Sequence, residues 1–79
     1  MVLPIRNRFE YWRLQLAAKH GKEISQKDMA KILNIDYSQY NKWETTSRPP
    51  NGSNLWTVWS SLQNEFPNLN MQDLLEYTP

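Results

Sequence analysis

The chain has no cysteine, so neither a disulfide framework nor a thiolate zinc site can be built from it. Its two glycines, Gly21 and Gly52, stand apart, which excludes a glycine-rich phosphate loop. The one histidine, His20, sits beside Gly21 and reads as an exposed helix-end residue favoured by the helix dipole, not as a base or a ligand. The eight acids form no cluster with metal-ligand spacing. No apolar run approaches the ~20 residues a membrane span needs, and the opening "MVLPIRNRFE" lacks the apolar stretch of a secretory signal. These absences lead us to expect no catalytic residue, no metal, no cofactor and no membrane association. A cytoplasmic protein follows by default.

Lysine and arginine are also missing from everything after Arg48. Residues 1–48 hold all nine cations against five acids, 9 − 5 = +4, while residues 49–79 hold three acids and no cation, −3. The overall charge of +1 hides that split. It points to a basic N-terminal portion facing a polyanion.

The 79 residues suit one small domain spanning 1–79, with 39% apolar and 22% charged side chains as in ordinary globular chains. Four Trp and four Tyr can supply much of its core. From Pro4 to about His20 the residues Ile5, Phe9, Trp12 and Leu16 recur at helical steps. Gly21 is a candidate C-cap. Ser25 followed by Asp28 resembles a capping box, opening a helix from about Gln26 to Leu33. A turn at Asn34-Ile35-Asp36 follows, and Asp36 can N-cap a helix to about Glu44. "TTSRPPNGSN" reads as a loop. Leu55, Val58, Trp59, Leu62 and Phe66 predict a fourth helix, capped by Ser53 or Asn54 and stopped by Pro67. Asn70 and Asp73 predict a short fifth helix burying Met71, Leu74 and Leu75. The expected fold is all-α, five helices and no strand.

On a 3.6-residue wheel, Asp36, Tyr40 and Trp43 share one side of the third helix, so Tyr40 and Trp43 can anchor it to the core. Ser38, Asn41 and Lys42 fall opposite, with Tyr37 and Gln39 at the edges. A polar face of this kind is commonly just solvated. Its side chains, however, are types that read base edges in a major groove wide enough to admit a helix. The four tryptophans could be imagined as a base-stacking platform. Trp12, Trp43 and Trp59 are more economically core, which leaves Trp56 as the one suspected of meeting a partner.

Within "QKDMAKILNIDYSQYNKWE", Met29, Leu33, Ile35, Tyr40 and Trp43 stand at positions 4, 8, 10, 15 and 18 of a window opening at Gln26. Ala30 occupies position 5, where two closely crossing helices need a small side chain. Here the sequence resembles the phage-repressor (Cro-type, or XRE) helix-turn-helix family, over roughly residues 5 to 77. Three features depart from the family pattern. Asn34 stands where Gly is usual, Tyr40 replaces a smaller aliphatic residue, and "AAKHGKE" lengthens the first join by about six residues.

The resemblance implies a lambda-repressor-like DNA-binding domain whose second motif helix enters the major groove while the first crosses the backbone. It implies that Gln26 caps its helix against a phosphate, helped by the helix N-terminus. Tyr37, Ser38, Gln39, Asn41 and Lys42 would meet base edges or flanking phosphates. Thr45, Thr46, Ser47 and Arg48 would touch the backbone. "YWRLQ" resembles family members in which an Arg pairs with the Glu closing the recognition helix, here Arg13 and Glu44. The function expected is a sequence-specific regulator of transcription on double-stranded DNA, with repression as the expected mode. A homodimer would have to use helices four and five or the C-terminal tail. The alternative is a protein-interaction module, antitoxin-like or an adaptor subunit, docking a partner through Trp56 and the acidic C-terminal third.

Overall fold

A computed structural model describes residues 4–77 of the chain. A short strand β1 (Pro4–Asn7) leads into four α-helices: α1 (Phe9–His20), α2 (Gln26–Leu33), α3 (Tyr37–Thr46) and α4 (Gly52–Leu62). One turn of 3-10 helix, Met71–Leu74, and a strand β2 (Leu75–Tyr77) complete the order. β1 and β2 pair antiparallel, with Arg6 opposite Glu76 and Asn7 opposite Leu75.

Two expectations are corrected. The described residues form four α-helices, not five, and they include a two-stranded sheet. Helical spacing from Ile5 to Phe9 suggested that the first helix begins near Pro4, yet Ile5 is exposed and the helix begins at Phe9. Residues 4–7 instead find backbone partners remote in sequence: Asn7 N–H donates to Ser47 O at 2.8 Å and Arg8 N–H to Leu74 O at 2.8 Å. At the other end Asp73 Oδ2 accepts from Asn70 N–H at 2.9 Å as the capping signal implies. The turn then stops because Leu75 to Tyr77 pair with β1. Both differences have one cause: a ladder between chain ends, which no local window contains.

The helix signals fare better where they are local. Gly21 caps α1 with φ 65°. Ser25 Oγ accepts from Asp28 N–H at 3.1 Å and Asp28 returns the bond to Ser25 N–H at 3.3 Å. Asp36 Oδ2 accepts from Ser38 N–H and Gln39 N–H at 3.1 and 3.3 Å. α4 is capped by Asn51, not Ser53 or Asn54, and ends at Leu62 rather than at Phe66. There the Leu62 carbonyl accepts from both Glu65 and Phe66 N–H, closing a turn that brings Phe66 back beside Trp12, ring centres 5.2 Å apart.

The core is one cluster to which every helix contributes. Phe9 and Leu16 come from α1, Met29, Ala30 and Leu33 from α2, and Tyr40 and Trp43 from α3, with Val58 and Leu62 from α4. Phe9 is the hinge of the aromatic packing, 6.3 Å from Tyr40 in a stacked pair and 5.7 Å from Trp43 edge-on. Trp12 and Trp59 pack against this core and send their indole N–H groups to Asp73 O and Leu69 O, each at 2.8 Å. Three tryptophans therefore serve the interior, as expected, and Trp56 is 56% exposed.

Candidate nucleic-acid interface

The turn between α2 and α3 is fixed by Asn34, which takes the left-handed conformation (φ 57°) that Asn tolerates better than most residues. Its own N–H and that of Ile35 close the end of α2 on Lys31 and Ala30 carbonyls. Ala30 is 2% exposed at this crossing, so its methyl group already fills the space. The longer join after the first helix is absorbed mostly by α1, which runs on through Ala17–His20 before the Gly21 cap. The register of α1 is thereby set, and Arg13 meets Glu44.

That pair is two-pronged. Arg13 Nε donates to Glu44 Oε2 at 3.1 Å and Nη2 to Oε1 at 2.9 Å, while Nη1 donates to the Ile24 carbonyl at 2.9 Å. The Glu44 side chain is 3% exposed. Burial pushes its carboxyl up, but hydrogen bonds from Arg13, Tyr40 and Gln26 together outweigh that and hold it below its ordinary value. The Glu44 hydrogen bond in turn raises the Arg13 guanidinium. Burial, first, and the neighbouring Glu44 push the Tyr40 phenol well up, so its hydroxyl keeps its proton. The larger ring at position 40 is thus accommodated with its oxygen near the Glu44 carboxylate and 3.5 Å from the Phe9 carbonyl.

Gln26 extends this chain to the outer face. Its Nε2 donates to Glu44 Oε1 at 3.1 Å. A carboxylate only accepts, so the amide must present nitrogen to Glu44 and leave its oxygen pointing the other way. Asn41 Nδ2 donates to that oxygen at 2.6 Å. The relay runs Arg13–Glu44–Gln26–Asn41, across α1, α3 and α2. It leaves Asn41 with its Oδ1 and one amide hydrogen uncommitted within the relay.

The remaining candidates divide. Tyr37, Gln39, Lys42, Thr45 and Arg48 are exposed. Ser38 is also exposed, but its hydroxyl donates to Asp36 Oδ2 and so turns back toward the cap. The Thr46 hydroxyl donates to Lys42 O at 2.8 Å within its own helix. Asp36 is held below its ordinary value by its bonds from Ser38 and Gln39. One residue not singled out from the sequence also touches this region. Asn7, 8% exposed, donates from its side chain to Trp43 O and Arg48 O at 2.9 and 2.7 Å. Its only local signal was an Asn two residues before a helix, a common capping type.

A helix crossing over a buried alanine, a tight turn, and a second helix presenting polar side chains outward define a helix-turn-helix protein. The family model described as helix-turn-helix matches residues 15–58. The chain belongs to the Cro-type (XRE) helix-turn-helix family of DNA-binding transcription regulators. That family is regulatory and not one of enzymes. A search of curated proteins and a search of solved structures returned no match. Among the described residues no helix is long and apolar enough to cross a membrane.

Proposed function

We propose that the protein binds duplex DNA sequence-specifically through the outer face of α3 and represses transcription from the cytoplasm by occupying a promoter. The observation that carries this reading is the relay ending at Asn41. An asparagine that reads adenine needs one acceptor and one donor, offered to N6 and N7. Asn41 keeps one of each, on a head group whose orientation is fixed from a buried ion pair. Reading a base then orders little that is not already ordered, and binding loses less to side-chain entropy.

The other residues take roles consistent with their exposure. Lys42 is a donor suited to guanine O6 or N7. Tyr37 and Gln39 lie at the edges of the face, where bases and flanking phosphates are both in reach. Gln26 offers its second amide hydrogen to a phosphate at the α2 N-terminus. Thr45 and Arg48 supply backbone contacts. Ser38 and Thr46 can donate to a phosphate only by releasing the hydroxyl bonds they make in the free chain.

We place a second, independent contact on α4. Residues 49–64 carry no charged side chain, and Trp56 stands exposed among them. That surface suits a protein: a second copy on a paired half-site, or a separate partner. The test of the principal reading is selection of bound sites from a random duplex pool, then titration of the winner at several salt concentrations. The expected log–log slope is on the order of −3 to −6 per protomer. Affinity unchanged by salt, or a pool with no enriched sequence, would favour the protein-docking module.

A further inference from the structure

We propose that Asn7, which lies outside the family-matched span, is a positioning residue for DNA contact: its side-chain amide holds the loop that carries Arg48. The proposal rests on the reading that Arg48 touches the DNA backbone.

Both side-chain polar atoms of Asn7 and its main-chain N–H are used toward this end or toward its own anchoring. Nδ2 donates to Trp43 O at 2.9 Å and to Arg48 O at 2.7 Å, committing both amide hydrogens. The main-chain N–H donates to Ser47 O at 2.8 Å. Oδ1 accepts from Phe9 N–H at 3.2 Å, which fixes which end of the amide faces the loop. One buried side chain therefore bridges the last turn of α3 to the second residue beyond it.

That stretch needs holding. Ser47 ends α3 in the left-handed conformation, φ 59°, with its N–H on Trp43 O at 2.9 Å. A residue with a Cβ keeps such a conformation only where its surroundings over-determine it, and such sites concentrate where function needs a fixed backbone. Downstream, Pro49 restricts Arg48 to extended conformations. The main chain of Arg48 is thus fixed on one side by proline and on the other by the bonds from Asn7, so its exposed side chain starts from a fixed backbone.

Asn7 is itself braced from the far end of the chain. It stands opposite Leu75 in the β1–β2 ladder, and the adjacent Arg8 N–H donates to Leu74 O at 2.8 Å. Nothing in residues 15–58 supplies these bonds. The segments flanking the helix-turn-helix act together as a clasp on the end of the recognition helix.

A buried amide that merely satisfies carbonyls would affect melting and leave the DNA contact as it was. A double-mutant cycle separates the two roles, using Asn7→Ala, Arg48→Ala and the double variant on a selected duplex below every melting temperature. In the parent, Arg48→Ala should weaken binding and flatten the salt slope by about 0.9, one phosphate contact. Asn7→Ala should flatten it by nearly the same amount, and adding Arg48→Ala to Asn7→Ala should change affinity by less than about twofold. Should Asn7→Ala fail to fold, Asn7→Ser retains one donor and takes its place. In the unaltered chain, the Asn7 side-chain amide should be protected from exchange, with a shift that moves together with Arg48 on adding duplex. Effects of the two changes that multiply independently, or a lowered melting temperature with parental affinity and slope, would overturn the positioning role. An Arg48→Ala variant that binds like the parent would instead remove the contact on which the role rests, and the role with it.

Discussion

Replacing Arg13 with Ala leaves the Glu44 carboxylate buried without its cation. The change removes two charge-assisted bonds to Glu44, at 3.1 and 2.9 Å, and a third to the Ile24 carbonyl at 2.9 Å. Breaking a buried pair from one side costs ~3–5 kcal/mol, because the orphaned charge keeps its desolvation penalty. Arg13 is 16% exposed, and Gln26 still donates to the carboxylate, so the lower end, ~3 kcal/mol, is expected. A chain of this length has ~4–12 kcal/mol of total stability. The melting temperature should therefore fall by ~12–24 °C, at ~4–8 °C per kcal/mol for a domain of this size. Urea titration should show a lower midpoint with an unchanged slope. Glu44→Gln in the same background should recover part of the loss, since the orphan is then neutral. A single Arg13→Ala variant melting within ~4 °C of the parent would refute this reasoning and demote the pair to a surface contact.

The same carboxylate gives a pH signature. Glu44 in the folded chain lies below its ordinary value, so its contribution is present above the ordinary carboxylate range and lost as pH falls through the depressed folded value. In Arg13→Ala burial dominates and the shift reverses, so melts of parent and variant should draw together as pH falls; a constant gap would contradict this. Ala30→Leu forces extra volume into the α2–α3 crossing, where Ala30 is 2% exposed, and should cost ~1–3 kcal/mol in thermal melts. Gln26→Ala should weaken random and selected duplexes alike through the lost phosphate donor, and should further blunt site preference, because Asn41 loses the oxygen that orients it. Competition binding with both duplexes measures the two parts, and an unchanged preference would break the link to Asn41.

What was legible in the sequence was whatever a window of about one helix contains. The Ser25–Asp28 box, Asp36, the left-handed Asn34, the small Ala30 and the Tyr40–Trp43 anchor all act within a few residues of themselves. The Arg13–Glu44 pair was reached only through the family resemblance, because no periodicity links α1 to the end of α3. Two kinds of information were out of reach. Strand pairing between Pro4–Asn7 and Leu75–Tyr77 joins the two ends of the chain, and each segment alone carried a helix-like pattern. The side-chain relay depends on which amide faces which, and so on three helices already packed. Wheel geometry put Asn41 on the outer side, where it is half-buried, but did not show that Gln26 would hold it. Nor did it show that Ser38 and Thr46 would direct their hydroxyls inward to their own helix.

The central claim is that the outer face of α3 distinguishes one duplex from another. It is tested most directly by titrating the parent, Asn41→Ala and Lys42→Ala against a selected and a scrambled duplex, with melting curves alongside. Lys42→Ala should melt within ~0.5 kcal/mol of the parent, and Asn41→Ala should lose ~1 kcal/mol with its bond to Gln26. Each should weaken the selected duplex by ~1–3 kcal/mol and leave the scrambled one unchanged. Both variants keeping the parent's full preference for the selected duplex would contradict the account and place the reading surface elsewhere.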